Sequence, residues 1–294
     1  MHFKRGYPDP MPPNEAVFHY CSPDTFRRIV ESRTLHFSSV ECMNDVTELT
    51  WGYGIFQNAM SRWCEGKGRD DRGGQFVLDL YEEMNRLRSS SLYLAVCLSK
   101  NGDLLSQWNS YAENGFGFAI GFDLGALNFD LNHTALAVEY HEPTLVAEAL
   151  DWIEEIFAGY PYPAVVPGSK YLHGAPLFAA DTVAYKHPSF SQELEVRLIK
   201  SLITAPHPMG GRGINPGFYR PQDSARIEYR MNKMGVPVPY LPQRFEAEGP
   251  YSAIRSVVIG PRNHSSTAQI QDFLNHHKIH GVQVSKSVAP VRPS

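Results

Sequence analysis

No stretch of this 294-residue sequence approaches the roughly 20 consecutive apolar residues that a membrane-spanning helix requires. The opening MHFKRGYPDPMPPNEA has no apolar run of signal-peptide length either. The expectation is a soluble cytoplasmic protein with no membrane partner. Cysteine is scarce, and Cys21, Cys42, Cys64 and Cys97 never form a C-x-x-C pair. That excludes a zinc ribbon, a thioredoxin-like site and a secreted disulfide scaffold, and leaves ordinary thiols. Neither sign of charge prevails: 27 Lys and Arg stand against 31 Asp and Glu, for a net charge of -4. Binding duplex nucleic acid calls for clustered cations that displace counterions, so a local basic patch is the most this balance allows. The phosphate-cradling G-x-x-x-x-G-K-[ST], the zinc-protease H-E-x-x-H, the hydrolase G-x-S-x-G and a G-x-G-x-x-G after a strand are all missing. Nor is there an internal repeat.

Hydrophobic residues make up 43% of the chain, aromatics 12% and charged residues 20%. This is enough apolar surface to offset the entropy of ordering the backbone. The reading is one α+β domain over residues 16–290, with a mixed central sheet and flanking helices. An irregular leader, residues 1–15, carries Pro8, Pro10, Pro12 and Pro13, and insertions are expected near 64–76, 158–180 and 204–250.

Val17 to Tyr20 reads as a strand that meets Ser22-Pro23, a cap followed by a first-turn proline. In the helix that follows, Phe26, Ile29 and Val30 form one apolar stripe. Leu35 to Val40 alternates as a second strand, Asn44-Asp45 makes a turn, and Thr47 to Trp63 looks helical. The segment GKGRDDRGG, residues 66–74, reads as a surface loop, and Phe76 to Leu87 as a helix. SLYLAVCLS, Ser91 to Ser99, is nearly all apolar, as a strand buried on both faces would be. Asp103 is placed to cap a helix bearing Leu104, Trp108, Tyr111 and Ala112. Further strands are expected at Phe116 to Phe122 and Ala135 to Tyr140, a helix near Leu145 to Phe157, and a half-exposed strand at Glu193 to Ile203. From Thr204 to Pro250 no periodicity is visible. Ile254 to Ile259, Ala268 to His277 and Val282 to Val284 close the chain as strand, helix, strand.

Among residues that could carry chemistry, Glu193-Leu194-Glu195-Val196-Arg197 is the sharpest group. Alternation along a strand would point Glu193, Glu195 and Arg197 to one side, where paired carboxylates do acid, base or cation-stabilising work. The plainer reading is an exposed face on which Arg197 neutralises Glu195. His19 and Tyr20 lie on a strand that enters the N-terminus of a helix, where backbone N–H groups favour anions; an ordinary core or surface histidine is the alternative. Trp108 and Tyr111 share a helical face with Leu104, which fits core packing as well as a platform for stacking a base. Asn44, Asp45 and Glu48 suit a helix cap better than a metal site, and His276, His277 and His280 suit a solvated helix end. No metal ligand set is assigned.

FHYCSPDTFRRIVESRTLHFSS, the MNDVTE turn, LSKNGDLLSQWNSYAENGFGFAIGF, FSQELEVRLI and IRSVVIGP, in this order, resemble an uncharacterised, mostly bacterial family catalogued as domain of unknown function 2971. More distantly, the chain resembles ADP-ribosyltransferase-like domains. There a polar residue on the first strand, a middle motif and a late glutamate build an NAD site. That resemblance implies that His19 holds the adenosine ribose, with Tyr20, Ser22 and Ser39 close by. It implies that Tyr111 or Trp108 stacks on nicotinamide, and that Glu195 binds the nicotinamide ribose and stabilises the developing cation. Glu193 would orient or deprotonate the acceptor. NAD is then the substrate and the acceptor a protein or nucleic acid, as in a toxin or defence effector. A clear Ser-Thr-Ser strand is missing, with Ser38-Ser39 or Ser99 as substitutes. The competing readings are a non-enzymatic module that binds a nucleotide or nucleic acid through Trp108, Tyr111 and Phe116, and metal-dependent hydrolysis through Asp45, Glu48 and Glu193.

Overall fold

The computed structural model describes residues 16–43, 48–67, 70–127, 134–161, 172, 174–206, 212–214, 227–232, 234–245 and 253–290. The first unit is strand β1 (Ala16–Cys21), helix α1 (Pro23–Ser32) and strand β2 (Thr34–Ser39). Its local chemistry follows the sequence closely. The Ser22 hydroxyl accepts the N–H of Thr25 at 3.1 Å, Pro23 opens the helix, and Phe26, Ile29 and Val30 are its buried residues. The helix stops where Arg33 turns left-handed, at φ 56°. Two long helices follow, α2 (Glu48–Gly66) and α3 (Asp71–Ser90), and lead into strand β3 (Ser91–Ser99).

Beyond β3 come α4 (Leu105–Tyr111), β4 (Phe118–Asp123), β5 (Thr134–Ala137), α5 (Glu142–Ala158), α6 (Ala175–Asp181) and the long strand β6 (Glu195–Pro206). Strands β7 (Arg212–Ile214), β8 (Glu228–Met231), β9 (Pro237–Arg244) and β10 (Ile254–Ile259), helix α7 (Thr267–His276) and strand β11 (Gln283–Lys286) complete the described chain. Only β10 and β11 pair in parallel, and the other described ladders are antiparallel. The architecture is therefore α+β on a mixed sheet.

Strand β3 is the hub. One of its edges runs along β6 from Ser91 opposite Ile203 to Ser99 opposite Glu195. The other edge is shared: β2 pairs with it at Ala95 and Leu94, and β1 only at Ser99. The sheet thus parts there into two wings, β1-β4-β10-β11 and β2-β9-β8. The alternation of β3 sorts the two faces. Leu92, Leu94, Val96 and Leu98 join a core with Phe26, Ile29 and Val30 of α1 and Ile270 and Leu274 of α7. Tyr93 and Ala95 face the opposite side, against Val40, Leu136, Val183 and Ala184. Beyond that layer α2, α3, α5 and α6 share a second core rich in rings, including Trp63, Phe76, Trp152 and Phe178.

Several expectations are corrected. Of the segment 66–74, Gly66 ends α2 and residues 71–74 open α3, because Asp70 accepts the Gly73 N–H at 2.6 Å and starts that helix early. Asp103 does not cap α4; its carboxylate takes the Trp108 indole N–H at 2.7 Å and the Val288 N–H at 2.8 Å. The expected helix continuation through Ala112 stops instead at Tyr111. Residues 204–250 hold β7, β8 and β9, and the alternation of β9 is obscured in the sequence by Pro237, Pro239 and Pro242. These prolines sit in β9, between β2 and the short edge strand β8.

Candidate functional site

Strand β6 begins at Glu195, two residues later than alternation requires for Glu193 and Glu195 to share a strand face. Glu193 ends a 3-10 turn, Pro188–Glu193, and Leu194 is left-handed at φ 48°. The two carboxylates still meet, through a residue the sequence did not single out. The Lys186 ammonium lies 2.7 Å from Glu193 Oε2 and 2.9 Å from Glu195 Oε2. Lys186 reaches this position because its segment is tied to the residues that follow β5, which are themselves bonded to the start of β6. Glu139 bridges Tyr185, and the Lys186 N–H donates to the Glu139 carbonyl at 3.2 Å. Arg197 closes the other side: Nε donates to Glu195 Oε1 at 2.8 Å, Nη2 to Glu195 Oε2 at 3.0 Å, and Nη1 to the Val183 carbonyl at 2.6 Å.

The expected half-exposed strand face is therefore an interior one. Arg197 is 0% exposed and Glu195 5%. Burial by itself would raise the Glu195 carboxyl, but the guanidinium of Arg197 and the ammonium of Lys186 outweigh it and hold the pKa at about 2. Both Glu195 oxygens are occupied. A carboxylate in this state is a fixed charge and a poor proton acceptor.

Glu193 is the member of the pair with a way out. Its Oε1 accepts the Tyr111 hydroxyl at 3.2 Å, and Tyr111 is 37% exposed. Desolvation, followed by the Glu193 charge, pushes the Tyr111 phenol up, so it stays a donor. Tyr140 completes the lining, its oxygen accepting the Glu195 N–H at 3.0 Å, and Phe190 lies under the ammonium of Lys186 at 4.8 Å. On β3 the Cys97 thiol donates to Met43 Sδ at 3.6 Å.

His19 reaches the same strand from the opposite wing. Its Nδ1 is 3.2 Å from the Cys97 carbonyl, at the stretch of β3 between the β1 and β2 pairings. Desolvation lowers the His19 pKa; the Cys97 bond works the other way, and the nearby Arg230 charge adds to the lowering. Tyr111 and the late acids thus meet beside the C-terminal end of β3, while His19, paired with Ile120 on β4, reaches β3 at the Cys97 backbone and lies on the core face of Val17 and Cys21.

The remaining expected site residues are placed elsewhere. Trp108 is fully buried, edge-on to Tyr20 at 4.8 Å, and packs the sheet instead of offering a stacking face. Tyr20 donates to the Asn101 carbonyl at 2.9 Å and accepts the Leu104 N–H at 2.8 Å, which fixes the start of α4. Ser22 is spent on its cap. Ser39 is 1% exposed, and its hydroxyl has no hydrogen-bond partner among the described residues. Asn44 and Asp45 lie outside the described residues, and of Glu48 only the backbone, opening α2, is described. Among the described residues no three His, Cys, Asp or Glu side chains are grouped to hold a metal, and no helix is long and apolar enough to cross a membrane.

The fold and site define an α+β chain with a buried, internally neutral cluster of two acids and two bases beneath an exposed tyrosine. Residues 107–198 match the model of a family described as "Protein of unknown function (DUF2971)". That span runs from α4 into β6 and includes Tyr111, Tyr140, Lys186, Glu193, Glu195 and Arg197, so the whole acid–base cluster lies within it. No curated protein and no solved structure matches the chain.

Proposed function

We propose that the protein binds an NAD-like nucleotide over this cluster and acts as an ADP-ribosyltransferase or NAD glycohydrolase. The observation that carries the reading is the contact of the exposed Tyr111 with Glu193 above Lys186 and Glu195, beside the stretch of β3 that His19 borders at Cys97. The resemblance to ADP-ribosyltransferase-like domains implies His19, Tyr111 or Trp108, and Glu195 in this order, and in this reading Glu193 takes the place of Glu195. Breaking the bond between nicotinamide and ribose passes through an oxocarbenium-like state that a nearby carboxylate stabilises. Glu193 is the acid placed for that contact, because its partner Tyr111 opens to solvent. Glu195, held at about 2 by Arg197 and Lys186 against the pull of burial, sets the position of Lys186 and so of Glu193. Tyr111, in place of the buried Trp108, is the ring available to the nicotinamide.

A second reading has its own support. All four charges of the cluster pair with one another, which leaves little field to stabilise a cation and suits a module that binds a nucleotide without cleaving it. Incubation of the pure protein with labelled NAD and a cell lysate separates the two. Release of nicotinamide or labelling of a macromolecule supports the enzyme, and Glu193→Gln, verified as folded by a cooperative thermal transition, then lowers the rate by about 100-fold or more. Saturable quenching of tryptophan fluorescence by NAD without turnover supports the binding module. The absence of both turnover and binding refutes each reading.

A further inference from the structure

The wing β2-β9-β8 carries a second group of side chains beside His19. Ser38 of β2 is directly opposite Tyr240 of β9, and Tyr240 is opposite Glu228 of β8. His36, two residues before Ser38 and so on its face of the strand, stacks on the Tyr240 ring at 4.3 Å between centroids and 24° between planes. Arg230 reaches back over the same ring, 5.8 Å from its centroid, and donates Nη2 to the Ser38 hydroxyl at 3.1 Å. It thereby spans a whole strand to reach the mouth of the parting between β1 and β2.

Two features set this arginine apart from the other exposed cations nearby. Arg27 and Arg28 are both paired with Asp24 on their own helix. Arg230 has no carboxylate partner among the described residues, and its neighbour Glu228 is engaged at 2.5 Å by the Tyr240 hydroxyl. A guanidinium held by an aromatic ring and one hydroxyl keeps most of its planar fork of donors unused, and that fork matches the oxygens of a phosphate. Ser38 accepts from Arg230 and retains its own proton to donate.

We propose that Arg230, Ser38 and His36 form a subsite for the phosphate groups of a nucleotide, with Tyr240 as its floor. Bound here, a phosphate lies on the His19 side of the parting, and the rest of the ligand extends across β3 towards Tyr111 and Glu193. The subsite deepens the nucleotide reading above and rests on it for the direction in which the ligand extends, but the phosphate contact itself can be tested separately.

The test is calorimetric titration of the full chain with inorganic pyrophosphate, ADP and adenosine, for wild type, Arg230→Gln and Arg230→Lys. Arg230 is exposed, and unchanged thermal melting of each variant verifies the fold. The expected result is binding of pyrophosphate and ADP, with adenosine weaker. Arg230→Gln should weaken ADP by about 10-fold or more, the scale of a lost charge-assisted hydrogen bond, while leaving adenosine unchanged. Arg230→Lys should recover only part of the loss, since a point charge replaces a fork. Failure of wild type to bind any phosphorylated probe at millimolar concentration overturns the subsite, as does equal binding of ADP and adenosine, or an Arg230→Gln variant that binds ADP as wild type does. ADP binding that depends on Arg230, without nicotinamide release from NAD, upholds the subsite and removes the proposed reaction. Nicotinamide release untouched by Arg230→Gln, with ADP binding also untouched, removes the subsite alone.

Discussion

Replacing Glu195 with glutamine isolates the contribution of the buried cluster to stability. In the folded protein its carboxyl titrates at about 2, against an ordinary value of 4.5. Because the folded value is the lower one, the stabilisation is fully present above about pH 4.5 and is lost as pH falls through 2. The shift corresponds to about 3 kcal/mol at neutral pH, of which about 2 kcal/mol is gone by pH 3. Glu195→Gln leaves Arg197, which is 0% exposed, without its charge partner. Breaking one side of a buried ion pair costs about 3–5 kcal/mol. Urea unfolding of wild type and Glu195→Gln at pH 7 and pH 3 should therefore show a gap of that size that narrows by about 2 kcal/mol at the lower pH. Carboxylates whose environment is unchanged cancel in the difference. A gap below about 1 kcal/mol at pH 7, the value of an exposed pair, would refute the reasoning, and so would a gap that stays constant with pH. Glu195→Leu combined with Arg197→Met should recover at least half of the loss, because an apolar pair of similar volume avoids the stranded charge.

Glu148 provides the opposite sign: desolvation, then the neighbouring Glu139, raise its carboxyl to about 7, so its ionised form opposes folding. Glu148→Gln should raise the melting temperature at pH 8 and by much less at pH 5, as differential scanning calorimetry can show. Trp108→Ala should cost about 3–5 kcal/mol in chemical denaturation, whereas a side chain acting as an exposed stacking platform would cost far less.

Where the sequence pattern depends on one segment alone, it reads through to the structure. Ser22-Pro23 with Phe26, Ile29 and Val30 declares α1 without help from elsewhere, and the unbroken apolar run from Ser91 to Ser99 declares a strand covered on both faces. The late acids were also visible, as was the pairing of Glu195 with Arg197. Lys186 was not, because a lone lysine after a tyrosine has no periodic signature, and only the bridge between Glu139 and Tyr185 brings it to the acids. The depth of Arg197 was equally hidden: alternating charges on a strand normally signal a wet face, and here a helical layer covers them. Strand β9 escaped because proline removes backbone donors and reads as a break. Trp108 and Tyr111, three residues apart on one helix, looked equivalent by spacing, yet Tyr20 closes over the first and leaves the second open.

The ladder between β3 and β6 joins segments separated by about a hundred residues, whose closure carries a chain-entropy penalty that rises only slowly with length. Cys97, Glu195 and Arg197 come together only when that distant pairing is made. An amino-terminal fragment ending before β6 would lack half of the ladder and both partners of the central ion pair. Assembly of the chemistry and assembly of the backbone are thus one event, and a chain still being synthesised holds no working copy of this centre until β6 has emerged.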